Sequence, residues 1–125
     1  MAEPESEPGA AEIRPGASML YVTCASVNEA RTIARLLVGE RLVACANIVE
    51  RMQSVYWWQG EIAEEEEAVL LLKTASDRVP AVVERVRNLH GYAVPCVVEL
   101  PLLRGNPAYL DWIVSEASGR PRRTG

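Results

Sequence analysis

Apolar residues switch between two spacings along this chain, and each switch marks an element. SMLYVTCA, at 18–25, is dense in strand-forming residues and predicts a first strand. In VNEARTIARLLVGERL, Ala30, Ile33, Ala34 and Leu37, then Arg41 or Leu42, recur at helical spacing. They predict an amphipathic helix whose last turn is weakened by Gly39. VACANIVERMQSVYWW, at 43–58, predicts a long extended segment. Val43, Cys45, Asn47 and Val49 share one face of it, and Ala44, Ala46, Ile48 and Glu50 the other. Few strands run so long unbroken, so a bulge is expected near Met52 to Ser54. Gln59-Gly60 predicts a tight turn, and EIAEEEEAVLLLKTA the returning partner strand, polar at first and apolar from Ala68.

Ser76 offers a cap for a second helix, with Pro80 in its first turn and Gly91 at its end. Val79, Val82, Val83, Val86 and Leu89 make its apolar stripe. VPCVVELP, at 94–101, predicts a fourth strand. Asn106-Pro107 opens a last short helix that should bury Tyr109, Leu110, Ile113 and Ala117.

The order β-α-β-β-α-β plus a terminal helix implies the α+β class. The specific expectation is a ferredoxin-like split βαβ sandwich, an antiparallel sheet with helices on one face, carrying an extended hairpin and a C-terminal helix. Val22, Val43, Val69, Leu71 and Val97 are too apolar to leave both sheet faces wet, so self-association is expected. The overlong hairpin offers unpaired backbone to a neighbouring copy. Tyr56, Trp57 and Trp58 are assigned to that subunit interface. Neighbouring strand residues point to opposite faces, so Trp57 and Trp58 share no pocket unless a bulge intervenes.

Composition narrows the class. The 125 residues, 49% of them hydrophobic, suit one packed domain. The expected organisation is a flexible acidic arm at 1–17, the domain at 18–118 and a basic tail at 119–125. No apolar run has the length of a membrane span, and the arm lacks the basic start and apolar stretch of a secretory signal. The net charge of −4 argues against nucleic-acid binding, which needs clustered Lys and Arg. Cys24, Cys45 and Cys96 are odd in number and far apart, which suggests neither a disulfide framework nor a zinc ribbon. A reducing cytoplasm is the expected setting.

Candidate chemistry is sparse. His90 is the single histidine. Near a helix C-terminus it has a structural use, bonding the last carbonyls in the favourable field of the dipole. Cys24 and Cys45 on strands suit packing, while Cys96 lies across one loop from His90. In the run Glu64 to Glu67, alternate carboxylates face opposite ways and cannot converge on one ion. A solvated hairpin end that discourages edge pairing is the expectation there. An acylphosphatase-type site would need glycine and arginine after the first strand, where this chain has CASVN. An RNA-recognition domain would need stacking aromatics on its third strand, where this chain has AVLLLKT. No catalytic constellation stands out, and the chain is read as a non-enzyme.

Four blocks in register carry a resemblance: LVACANIVERMQSVYWWQGEI, LLLKT, the His-x-Tyr-x-Val-Pro block at His90 to Pro95, and GNPAYLDW. Over about residues 19–117 the chain resembles the CutA family of divalent-cation tolerance proteins. The resemblance implies a compact homotrimer with hairpins reaching across to neighbours, and a role in copper and divalent-metal response. Its fold and trimer are similar to those of PII signalling proteins, which implies the alternative of a regulatory or assembly scaffold without its own metal site. It also implies copper as the candidate ion, with Cys24 and His90 at positions that match metal ligands in a bacterial relative. The second histidine of that relative is replaced here by Leu89. Gly91, Ala93 and Cys96 stand where the family usually has proline and glutamates, and the added thiol would favour cuprous copper.

Overall fold

The fold is read from a computed structural model, which describes residues 9–13 and 16–117. The first eight residues of the expected arm, residues 14–15 and the expected tail, with residue 118, lie outside the described residues. Four antiparallel strands form one sheet in the order β2-β3-β1-β4. They are β1 (Ala17–Cys24), β2 (Cys45–Trp58), β3 (Glu61–Ala75) and β4 (Val97–Leu102). Between them run α1 (Val27–Gly39) and α2 (Val79–Leu89), and α3 (Pro107–Glu116) follows β4. β1 thus takes in Ala17, a residue earlier than the domain start expected from the sequence.

The sheet register sorts its side chains. Val22, Leu70, Ile48 and Val97 stand in one cross-strand row, and Leu20, Leu72 and Ala46 in the next. These residues meet Ala30, Ile33, Ala34 and Leu37 of α1 and Val79, Val82 and Val86 of α2 in the main core. The buried set of α1 is the set its periodicity predicts. Val43 departs from its expected place beside Cys45. It lies before β2, where its amide donates to the Leu37 carbonyl, and its side chain enters the main core.

The opposite face is not left without a helix, as the sequence had implied. Leu110 and Ile113 of α3 pack with Ala17, Ala44 and Leu102 in a second, smaller cluster. Tyr109 of α3 contacts Lys73 and Cys45, a cross-strand pair of that face. Tyr109 is therefore 41% exposed and not part of the helix's buried stripe, which keeps Leu110, Ile113 and Ala117. Beyond α3 the face stays open: Val49, Val98 and Leu100 are all exposed.

Two local expectations are corrected. Ser76 does not cap α2; it opens a 3-10 turn, Ser76–Arg78, and its hydroxyl bonds that of Ser18. Gly91 does not end α2 in a left-handed turn, because the chain already leaves the helix through extended His90, φ −78° and ψ 143°. The bulge in β2 falls between Val49 and Met52, just ahead of the expected stretch, with Arg51 at φ 60°. The hairpin turn behaves as predicted. Gln59 and Gly60 both have positive φ, 49° and 81°, as a two-residue turn of type I′ requires.

Candidate metal centre and hairpin surface

Cys24 and His90, 66 positions apart in the chain, are brought together by the main fold. β1 ends at Cys24, whose side chain is wholly buried under the start of α1. α2 ends one residue before His90, so the helix delivers the imidazole to the same end of the sheet. A third side chain joins them. One ligand atom each from Cys24, Glu29 and His90 all lie within 4.8 Å of one another. Among the described residues this is the one such group of three.

Hydrogen bonds hold each member in place. Nε2 of His90 lies 2.7 Å from the carbonyl oxygen of Thr23, and since a carbonyl only accepts, the proton sits on Nε2. Nδ1 then carries the lone pair; it accepts from the Tyr92 amide at 3.1 Å and lies 3.9 Å from Glu29 Oε2. Glu29 accepts from the amides of Ala25 at 3.1 Å and Gly91 at 2.8 Å. Ser26 caps α1 by accepting from the Glu29 amide at 3.1 Å. Ser26-x-x-Glu29 is thus close to a capping box, with the glutamate reaching one residue further back than usual. Gly91 is constrained by this contact: a Cβ there would sit 2.9 Å from Glu29 Oε2.

Burial pushes the Cys24 thiol up to about 12, and the negative charges of Glu29 and Glu67 push it the same way. Cys24 is therefore a protonated thiol until something replaces the proton. Glu67 itself is buried, contrary to the solvated end expected for the glutamate run. It accepts from the Tyr92 hydroxyl at 2.8 Å, and Tyr92 packs on His90 with ring centroids 4.8 Å apart. Burial, and then this bond to Glu67, raises the Tyr92 phenol. Glu64, Glu65 and Glu66 are exposed as expected. Cys96 is exposed and stands outside the group, and Cys45 lies at Tyr109 on the open face. Leu89, at the place of the missing histidine, packs against the main core.

The donor set suits a transition metal. Thiolate, imidazole and carboxylate all serve as zinc-type ligands, and a histidine bound through one nitrogen ordinarily donates the other N–H to a carbonyl or carboxylate. His90 already makes that second bond. Metal–donor bonds of roughly 2.0–2.3 Å place tetrahedral donors about 3.3–3.8 Å apart. The widest separation here would have to close by about 1 Å.

The sequence singled out two of the three residues that meet in this group, Cys24 and His90. Glu29 and Tyr92 were not singled out because their contacts are long-range, the Glu29–Gly91 bond spanning 62 positions. The signal that was available is the serine-x-x-glutamate pattern two residues after Cys24.

The assigned interface residues lie at the far end of the β2–β3 hairpin. Trp57 is 73% exposed and Trp58 54%, while Tyr56 is half-buried and donates to Glu65. That bond holds the Tyr56 phenol up at about 12. Trp57 pairs with Ile62 and Trp58 with Glu61, so the two indoles take opposite faces, as strand alternation requires. Val55 and Ile62 add exposed apolar surface on the Trp57 side.

Comparison with known proteins agrees with both the fold and the sequence blocks. Residues 18–116 match the family described as CutA1 divalent ion tolerance protein. The divalent-cation tolerance protein CutA of Thermus thermophilus is 50% identical over 95 residues, covering 76% of this chain and 92% of that protein. Mouse protein CutA is 40% identical over 111 residues, and the chain spans 63% of its length. Among solved structures, Thermus thermophilus CutA1 superposes with a TM-score of 0.77 at 47% identity, covering 80% of this chain and 97% of that one. CutA of Xylella fastidiosa superposes at 0.78 with 37% identity, covering 81% and 97%. On the extent of these matches and the shared antiparallel α+β architecture, the chain belongs to the CutA1 divalent ion tolerance protein family.

Proposed function

We propose that this protein is a non-enzymatic, cytoplasmic homotrimer of ferredoxin-like subunits that takes part in the response to divalent metal ions. Copper is the first candidate ion, held by Cys24 and His90. The single observation that supports the metal reading most is the meeting of these two donors in one buried group, in a chain of this family. The strand order β2-β3-β1-β4, with a β-α-β-β-α-β sequence, supports the ferredoxin-like reading. The apolar hairpin end and the open sheet face support self-association, since apolar area in such patches is stabilised by leaving water. Three unpaired cysteines are consistent with a reducing compartment.

Calorimetric titration with copper in both oxidation states tests the metal reading. Saturable binding of one ion per chain, lost in Cys24→Ser and His90→Ala, is the expected result. Absence of saturable binding to the folded wild-type chain would refute it. A second reading is favoured by a specific observation: both ring nitrogens of His90 already have hydrogen-bond partners. On that reading the group is a strut and the protein a PII-like regulatory or assembly scaffold. The copper titration separates the two.

A further inference from the structure

We propose that Glu29 is the third donor of the Cys24–His90 site, and that the resulting sulfur, nitrogen and oxygen set takes a divalent ion of zinc type in preference to cuprous copper. This rests on the reading of Cys24 and His90 as metal donors.

Four features of the chain point to Glu29. Its Oε2 lies 3.9 Å from Nδ1 of His90, the ring nitrogen that carries the lone pair. Two amides, of Ala25 and Gly91, fix the carboxylate where it stands, so little conformational freedom is left to lose when an ion arrives. Gly91 leaves that carboxylate its space, which a side chain would take. The Glu29 side chain keeps 21% of its surface open while His90 is closed off, so an ion reaches the group past the carboxylate.

The donor chemistry sets the preference. Cuprous copper favours soft sulfur ligands, whereas a carboxylate beside an imidazole and a single thiolate favours a divalent, borderline ion. Cys96 does not bring its thiol into the group, and Leu89 supplies no donor. The expectation drawn from Cys96 in the sequence is therefore reversed by the position of Glu29. An ion on Nδ1 would also displace the Tyr92 amide. The residue whose hydroxyl reaches Glu67 at the base of the hairpin would then lose one of its two anchors.

The test uses the full chain with cobalt(II) and zinc, followed by thiolate-to-cobalt absorption and by competition with a zinc chelator. Cuprous copper is titrated in parallel without oxygen against a cuprous chelator. One cobalt per chain is expected, with the absorption of a single thiolate. Glu29→Gln should weaken cobalt and zinc at least about tenfold and change cuprous affinity by less than about threefold. Unchanged cobalt and zinc affinity in folded Glu29→Gln would overturn the role of Glu29. Loss of binding in Cys24→Ser in that same outcome would leave the two-donor reading standing. Wild-type protein that binds none of the three ions would overturn both. Should Glu29→Gln fail to fold, Glu29→His decides. A changed cobalt spectrum at retained affinity supports coordination from position 29, and an unchanged spectrum overturns it.

Discussion

The two halves of β3 share one hydrogen-bonded ladder and differ in almost everything else. From Ala68 to Ala75 the strand is buried or half-buried, with Leu70 and Leu72 wholly enclosed between the sheet and its helices. From Glu61 to Glu66 it is exposed except for half-buried Ala63. Its apolar residue there, Ile62, faces water beside Trp57 and Val55. At the base β3 is paired on both edges, by β1 and β2, whereas at the tip it pairs with β2 alone, and the side chains there find no helix. At the base the chain supplies its own helices. At the tip it supplies only the hairpin, and the apolar area there is available to another copy of the chain.

The contrast is broken most strongly at the base. Leu72→Ala should cost about 2–5 kcal/mol of stability, measured by urea unfolding, because it removes buried carbons and leaves a cavity. Trp57→Ala, under the same assay and dilute enough for separated chains, should move stability by less than about 0.5 kcal/mol. Equal losses from the two changes would show that the tip is packed within one chain after all. Next in size is Trp58→Ala, which should weaken self-association by roughly tenfold, about 1.4 kcal/mol, in sedimentation equilibrium. An unchanged association constant would remove Trp58 from the interface.

The last change tests the link between the loop after α2 and the group of Cys24, Glu29 and His90. His90 already holds the extended backbone that a following proline demands, so Gly91→Pro meets little conformational resistance there. It removes the amide bonded to Glu29, at a cost of about 1 kcal/mol, and it also sets a Cβ 2.9 Å from Glu29 Oε2, so the loss in urea unfolding should exceed that of the bond alone. No loss of stability would show that the contact between Gly91 and Glu29 does not hold the loop after α2.

Local patterns were legible where one element sets its own rules. The limits of β3, the buried face of α1 and the Gln59-Gly60 turn all follow from spacing and turn chemistry. Tyr109 was misplaced because α3 lands on the far face of the sheet, and Val43 because β2 begins only at Cys45. Glu67 looked like its three neighbours in sequence and is set apart only by Tyr92, which arrives from a distant loop. Two of the three residues of the candidate group were legible, through the family resemblance that marks Cys24 and His90. Glu29 reads as an ordinary first-turn acid of a helix until the fold brings His90 to it.

Glu29 has two jobs that coincide in one carboxylate: it ties the start of α1 to the loop after α2, and it presents an oxygen to the thiol and the imidazole. Such a residue resists drift under either selective pressure. Without the proposed ion it would still hold the loop. Cys24 makes no comparable tie between elements; its side chain is wholly buried in the main core. On the metal reading proposed above, Cys24 is therefore the position whose chemistry the ion uses and the loop does not.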